Sequence, residues 1–112
     1  MRINDFNTDK NVFVVAEIGN NHEGDFTLAQ EMIGSAAEAG VDAVKFQTFI
    51  PELFISKADE QRFNRMRSFQ LSFSQFEALA RQAESMGVIF FSTPLDLESA
   101  YFLNAIQPLF KV

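Results

Sequence analysis

The feature that most constrains the fold is a regular alternation of strand-like and helix-like segments. Residues 12–18 are an apolar run without polar alternation, which is typical of a strand buried on both faces, and residues 41–48 and 88–92 are predicted to be the second and third strands. A helical pattern follows each run, and a fourth strand is predicted to begin at residue 109. This order predicts an α/β fold of parallel strands joined by right-handed helical crossovers.

The boundaries of the first helix are predicted from its capping residues. It begins at Asp25 or Thr27, where Thr27 and Gln30 fit a capping box, and Gly40 is placed to end it. Its apolar face is predicted from residues that recur at helical spacing: Leu28, Met32, Ala36 and Ala39.

The other two helices are predicted in the same way. The second begins with a capping box formed by Ser74 and Glu77 and ends at Gly87, and the third begins near Asp96. Residues 1–11 are predicted to be a polar lead-in. Residues 51–72 are an excursion with a solvated face that carries three arginines, Arg62, Arg65 and Arg67.

Two architectures fit this order of elements. An open, doubly wound α/β domain can be complete at about this length, whereas a (β/α)8 TIM barrel runs to about 250 residues. In the second case the chain of 112 residues would be the first half of a barrel, truncated within strand 4. The pattern alone leaves both architectures open.

Composition and charge exclude several classes of protein. The net charge of −6 argues against a general nucleic-acid binder, because contact with phosphates needs a basic face. The chain has no apolar run near the roughly 20 residues of a membrane helix, and no segment resembling a secretory signal. It also has no cysteine, which excludes disulfides and thiolate metal sites. We therefore expect a cytoplasmic location.

Polar side chains at the carboxyl ends of the predicted strands are the candidate functional residues, because ligands bind there in both architectures. These candidates are Glu17, Asn20, Asn21, His22, Lys45, Gln47, Thr48, Ser92, Thr93, Asp96 and Lys111. Two lysines and a hydroxyl could hold an anionic substrate beside a carboxylate that transfers protons.

Each candidate also has a structural interpretation, and the residue pattern leaves both open. Glu17 could simply pair with Lys45, since a buried lysine needs a partner or an anion. Gln47 could satisfy backbone groups of a loop, and Asp96 fits a helix N-cap better than a catalyst. His22 is more typical of a residue that forms hydrogen bonds within a loop than of a metal ligand. One histidine without cysteines cannot build a zinc site.

Three ordered segments resemble the sialic acid synthase family, which includes the N-acetylneuraminate, legionaminic acid and pseudaminic acid synthases. They are Ala-Glu-Ile-Gly-Asn-Asn-His-Glu-Gly at 16–24, Ala-Gly-Val-Asp-Ala-Val-Lys-Phe-Gln-Thr at 39–48, and Phe-Ser-Thr-Pro-Leu-Asp at 91–96. The resemblance implies a (β/α)8 barrel followed by a small antifreeze-like domain, in a homodimer. Residues 1–112 would then be an N-terminal fragment of the barrel that lacks the remaining half-barrel and the antifreeze-like domain, and we expect it to be inactive alone.

The resemblance also implies a reaction and roles for individual residues. Family members condense phosphoenolpyruvate with an N-acyl-mannosamine-type sugar, and they form a nine-carbon 2-keto acid and phosphate. By resemblance, Glu17 transfers protons, Lys45, Lys111 and Thr93 contact phosphoenolpyruvate, and Gln47 contacts the sugar. A divalent metal, Mn or Mg, is expected in the full-length enzyme, with two histidine ligands that this chain lacks.

Two alternatives to this function stay open. The chain could belong to another barrel enzyme that uses phosphoenolpyruvate or a keto acid. It could also be a complete open α/β binding module of receiver type, although such modules gather several acidic residues after their first strand and only Glu17 is available here.

Overall fold

The computed structural model describes residues 1–111, and a three-stranded parallel sheet forms its centre. A short antiparallel hairpin, β1 (Arg2–Ile3) and β2 (Phe6–Asn7), precedes this sheet. The sheet consists of β3 (Val15–Gly19), β4 (Ala43–Thr48) and β5 (Ile89–Pro94) in the order β3-β4-β5. The predicted parallel strand order is therefore confirmed.

Helices connect the strands of the central sheet. Helix α1 (Phe26–Glu38) links β3 to β4, and α4 (Leu97–Asn104) follows β5. The connection between β4 and β5 is longer, with a 3-10 turn (Pro51–Leu53), α2 (Glu60–Phe69) and α3 (Phe73–Ser85). No helix within residues 1–111 is long and apolar enough to cross a membrane.

The two faces of the central sheet differ in character, because successive side chains of a strand point to opposite faces. Val44, Phe46 and Phe90 point toward the helices and form the hydrophobic core with Ile33 and Leu79. The Phe46 and Phe90 rings are stacked with centroids 5.6 Å apart. The opposite face carries the alternate residues of each strand, and those residues include most of the predicted site.

The first strand of the sheet begins later than predicted. Residues Val12 and Val14 lie outside β3 and are 84% and 49% exposed. The Val14 N–H donates to Asp42 Oδ2 at 2.8 Å, and its carbonyl accepts from the backbone N–H groups of Asp42 and Ala43. Val14 is thus bound to the turn before β4. The predicted polar lead-in was also wrong in part, since it contains the β1–β2 hairpin.

One of the predicted helix caps is confirmed and another is displaced by two residues. Asp25, one of the two predicted candidates, is the N-cap of α1, and its Oδ1 accepts from the Leu28 N–H at 3.1 Å. The capping box of α3 is Ser72 with Gln75, not Ser74 with Glu77.

The fully buried residues of α1 are not those predicted for its apolar face. Ala29 and Ile33 are its fully buried residues, Leu28 is half-buried, and Ala39 is exposed just beyond its end. In α3 the buried residues Phe76, Leu79 and Ala83 recur at the spacing of one helix face.

Residues 109–111 do not form the predicted fourth strand, and the last residue of that prediction, Val112, lies outside the described residues. The side chain of Gln107 binds the backbone of β5. Its Oε1 accepts from the Ser92 N–H at 2.8 Å, and its Nε2 donates to the carbonyl of Ser92 at 3.1 Å and of Leu109 at 2.9 Å. These contacts occupy the backbone N–H and carbonyl of Ser92, which would otherwise be open to a neighbouring strand.

Candidate functional site

A charged pair lies at the centre of the open sheet face. Glu17 in β3 and Lys45 in β4 are partners in the parallel register, and Lys45 Nζ donates to Glu17 Oε2 at 2.9 Å. The lysine side chain is 11% exposed and that of the glutamate is 55% exposed. Burial of an ammonium is costly without a partner, so the pair stabilises Lys45 in an apolar strand. The predicted ion pair is confirmed, and it presents its acidic member to solvent.

A glycine provides the space for this carboxylate. The ladder between β3 and β4 is irregular between Glu17 and Gly19, and Gly19 has a φ of 56°, which side chains disfavour. A Cβ at position 19 would lie 3.2 Å from Glu17 Oε1. Gly19 therefore ends β3 in a conformation that turns the chain into the next loop without crowding the carboxylate.

A second polar pair lies two residues further along β4 and β5. Gln47 and Thr93 are register partners, and the alternation of side chains places Gln47 on the same face as Lys45. Gln47 Oε1 accepts from Asn20 Nδ2 at 2.8 Å. The hydroxyl of Thr93 is buried and has no hydrogen-bond partner among residues 1–111. A buried hydroxyl without a partner is unfavourable, so a ligand or water that reached it would be stabilised.

Two of the other candidates face the helices instead of the site. The hydroxyl groups of Thr48 and Ser92 are 2.7 Å apart, and both residues are fully buried. Each hydroxyl is thus the hydrogen-bond partner of the other in the layer between the sheet and the helices. Neither side chain is available to a ligand on the open face.

Asp96 is a structural residue, as its position before α4 indicated. Its Oδ1 accepts from the Ser99 N–H at 2.8 Å, and its Oδ2 accepts from the Ile50 N–H at 2.7 Å and the Ser99 hydroxyl at 2.9 Å. The carboxylate thus caps α4 and holds the loop that follows β4. This contact fixes the loop beside the carboxyl ends of β4 and β5.

His22 holds the loop after β3, in agreement with its structural interpretation. It is 1% exposed, its ring packs against Phe46, and its Nδ1 accepts from the Gly24 N–H at 3.0 Å. Burial lowers the pKa of His22 below its ordinary value of 6.5, although the charge of Asp25 opposes the shift. The neutral ring then carries its proton on Nε2, which has no acceptor in the described part of the chain.

The sequence profile of the NeuB family matches residues 32–112. This chain belongs to the NeuB family. Pseudaminic acid synthase of Campylobacter jejuni is 30% identical to it over 122 residues, an alignment that covers 97% of this chain and 36% of the relative. N,N'-diacetyllegionaminic acid synthase of Legionella pneumophila is 36% identical over 107 residues, covering 84% of this chain and 30% of the relative.

A solved structure gives the same result at the level of the fold. The N-acetylneuraminic acid (sialic acid) synthetase of Leptospira borgpetersenii, crystallised with citrate, has a TM-score of 0.81 and 30% identity to this NeuB-family chain. The match covers 90% of this chain and 35% of that structure. The chain thus spans about a third of the length of the relatives it matches, and its β/α units have the architecture of the corresponding part of a sialic acid synthase barrel. The expected barrel fold is confirmed.

The site of this NeuB-family chain unites four of the five predicted residues and leaves one apart. Glu17, Lys45, Gln47 and Thr93 lie on neighbouring strands in register. Lys111 is exposed and makes no ion pair or hydrogen bond with residues 1–111, so its contact with substrate stays a prediction.

The residue that sequence reasoning left without a role is Asn20. It follows the glycine that ends β3, and its side chain crosses to Gln47. Its position directly after a strand end, where ligands bind in barrels, was the available signal.

The NeuB-family chain does not by itself assemble a metal centre in the described residues. Within residues 1–111 no three histidine, aspartate or glutamate side chains come together in an arrangement that could hold a metal ion. Glu17 is engaged with Lys45, and His22 uses Nδ1 as an acceptor inside its loop. These side chains therefore do not fit a divalent cation without further ligands.

Proposed function

We propose that the full-length protein condenses phosphoenolpyruvate with an N-acyl-mannosamine-type sugar, and that residues 1–112 are the first part of its catalytic barrel. Membership of the NeuB family and similarity to pseudaminic acid, legionaminic acid and sialic acid synthases support the reaction class. The observation that carries the proposal is the buried Lys45 beside the half-exposed Glu17, next to Gln47 and Thr93.

The proposed reaction joins two carbon atoms and releases phosphate. The C3 carbon of phosphoenolpyruvate attacks the aldehyde carbon of the open-chain sugar, and the aldehyde oxygen takes up a proton. Water adds at C2 and loses a proton, and the tetrahedral intermediate then expels phosphate to leave a 2-keto acid. The product contains the atoms of sugar, phosphoenolpyruvate and water less those of phosphate.

The described residues match the needs of this chemistry. Lys45 has three N–H donors and uses one of them on Glu17, so two remain for the anionic groups of phosphoenolpyruvate. Thr93 adds a hydroxyl that has no partner within residues 1–111. Glu17 keeps one carboxylate oxygen for a proton from the attacking water, since Lys45 binds only Oε2.

The proposed function is tested with the full-length protein, phosphoenolpyruvate and a panel of N-acyl-mannosamines, some with a 6-phosphate, and with added Mn or Mg. We expect phosphate release to match the formation of a nine-carbon 2-keto acid, identified by mass spectrometry. Consumption of phosphoenolpyruvate only with other aldehydes would identify a different barrel enzyme, and no consumption at all would reject the proposal.

Lys45→Met is the informative variant for this assay. The methionine is similar in length but lacks the charge, so we expect the KM for phosphoenolpyruvate to rise roughly 10- to 150-fold, the effect of losing a charge-assisted hydrogen bond. Lys57→Met is the matched control, because Lys57 is exposed in the loop before α2. Equal kinetics of the two variants would show that Lys45 has no role in binding.

A further inference from the structure

The amide of Gln47 is held in one orientation by Asn20. The Asn20 Nδ2–H donates to Gln47 Oε1 at 2.8 Å, so the carbonyl end of Gln47 is engaged and its Nε2 is not. Gln47 Nε2 has no hydrogen-bond partner among residues 1–111, although its side chain lies on the same sheet face as Lys45. The two N–H donors of Gln47 are therefore directed toward the open face.

The opposite orientation of both amides would be less favourable. If both amides were turned, Gln47 Nε2 would donate to Asn20 Oδ1. The NH2 group of Asn20 would then lie in the buried position that Oδ1 occupies now. Asn20 Oδ1 is buried and has no partner in the described chain. Buried N–H groups without partners are rarer than under-satisfied carbonyl oxygens, so the observed orientation leaves the cheaper group unsatisfied.

The backbone around Asn20 is fixed by a series of turns, which keeps the amide in place. The Asn21 N–H donates to the carbonyl of Ile18 at 3.0 Å, and the Glu23 N–H donates to the carbonyl of Asn20 at 2.9 Å. Contacts of His22 close the remainder of the loop. Asn20 thus approaches Gln47 from a loop with little freedom to move.

We propose that Asn20 is a positioning residue that makes Gln47 a hydrogen-bond donor to an oxygen atom of the acceptor sugar. This inference rests on the proposed function and assigns a polarity to the contact between Gln47 and the sugar. The sugar group at Gln47 has to be an acceptor, a hydroxyl or an acyl oxygen, because Gln47 Oε1 is already bound. A sugar group that can only donate would find no acceptor there.

Asn20→Asp reverses this polarity with almost no change of shape. A carboxylate cannot donate to Gln47 Oε1, so Gln47 turns its Nε2 toward residue 20 and presents its oxygen to the sugar. We expect the KM for the sugar to rise about 10- to 100-fold, as when a contact is replaced by an unsatisfied acceptor. The KM for phosphoenolpyruvate should stay near that of the unaltered protein, whereas the Tm should fall, because the buried Oδ1 position then carries charge.

Asn21→Asp is the matched control, because it adds the same charge one residue along at an exposed side chain. In a Gln47→Ala background, Asn20→Asp should have no further effect on the KM for the sugar, since the group it orients is gone. If Asn20→Asp and Asn21→Asp gave similar KM values for the sugar in the protein that keeps Gln47, the proposal would be overturned.

Gln47→Glu tests the donor role even where Asn20→Asp does not fold. Its carboxylate accepts from Asn20 as Gln47 does, but it has no N–H for the sugar. We expect the same rise in the KM for the sugar, and an unchanged KM would overturn the proposal.

Side-chain amide NMR of the full-length protein separates this inference from the proposed function. Asn20→Asp should move the Gln47 amide protons downfield, because they then donate to a carboxylate, and Asn21→Asp should leave them in place. Unmoved Gln47 resonances would reject the positioning role whatever the reaction. Moved resonances in a protein that does not consume phosphoenolpyruvate with any acylmannosamine would reject the proposed function and keep the positioning role.

Discussion

The Glu17–Lys45 pair has a structural role and, in the proposed reaction, a chemical role. Lys45 is almost completely buried and requires an anion nearby, whereas the half-exposed carboxylate of Glu17 is in contact with water. We therefore expect a change at Glu17 to affect both the stability of the strand and the proposed chemistry on the open face. Only a comparison of turnover with melting temperature separates the two.

Glu17→Gln makes that comparison in the full-length enzyme with saturating metal. We expect kcat to fall about 10²- to 10⁴-fold, the usual effect of losing a positioned acid–base group. The melting temperature should fall as well, because the substitution leaves the buried ammonium of Lys45 beside a neutral amide. Glu31→Gln, on the exposed side of α1, is the control. A clearly lowered melting temperature with nearly normal kcat would leave Glu17 as the partner of Lys45 alone.

His22 makes the stability of the first loop depend on pH. Because burial lowers its pKa below 6.5, the unfolded chain takes up a proton on this ring at a higher pH than the folded chain does. The stabilisation from the neutral ring is therefore fully present above pH 6.5 and is lost as the pH falls through the lower pKa of the folded state.

We expect His22→Asn to remove this pH dependence while its Oδ1 still accepts from the Gly24 N–H. The measurement is the free energy of unfolding of both proteins from pH 8 to pH 5. The advantage of the histidine should shrink as the pH falls. A constant difference across this range would contradict the assigned protonation state.

At the scale of elements, local pattern predicted most of the fold and failed where two nearby residues could serve equally. Asp25 and Thr27 both fit an N-cap, as do Ser72 and Ser74, and the choice depends on where the preceding loop releases the chain. The start of β3 depends on contacts between Val14 and a turn 28 residues away. Such contacts leave no trace in local periodicity.

The residues of the candidate site that lie on strands were predictable from the sequence, and the contact made by a loop residue was not. Strand ends and the apolar surroundings of Lys45 were enough to bring Glu17 and Lys45 together, because parallel strands align their carboxyl ends. The contact of Asn20 with Gln47 was not predictable, since it requires a loop to turn back over a neighbouring strand. The sequence thus predicted where the strand residues lie and placed Asn20 at a strand end, but it did not predict the contact of Asn20 with Gln47.

The excursion between β4 and α3 packs closely against the first loop at Gly24. Gly24 has a φ of 81°, and a Cβ there would overlap the backbone carbonyl of Ser68 near the end of α2. Gly40, at the end of α1, has a similar φ of 86° with nothing within 4 Å of such a Cβ. The two glycines thus share the backbone requirement, and only Gly24 makes a close contact.

We therefore expect Gly24→Ala to destabilise the protein more than Gly40→Ala. The left-handed conformation costs either alanine about 1–2 kcal/mol. The displaced α2 should add about 1–3 kcal/mol at position 24, as overpacking does. Chemical denaturation of both variants measures the difference. Equal destabilisation would show that α2 is not packed tightly against the first loop.

At the scale of the whole chain, the described sheet has two open edges. The outer sides of β3 and β5 have no neighbouring strand within residues 1–111. Several large apolar side chains are also exposed: Val12, Val14, Leu53, Met86, Leu97, Tyr101 and Phe110. Unpaired edges and exposed apolar surface both favour association with other chains.

We expect the purified chain of 112 residues to self-associate or to unfold without cooperativity. Light scattering coupled to size-exclusion chromatography measures its mass, and calorimetry measures its melting transition. A monodisperse monomer with one sharp transition would show that the three-stranded central sheet and the four helices bury enough surface to be stable alone.

The contacts of Gln107 with Ser92 make strand addition at β5 an exchange reaction. An incoming strand that pairs at Ser92 has to displace the two hydrogen bonds of the glutamine side chain, so it gains few new bonds there. The driving force for its docking then comes from the burial of apolar side chains on the strand's two faces. A strand whose side chains do not fit those faces would displace the glutamine without compensation, and selection among competing strands would follow packing and not backbone pairing.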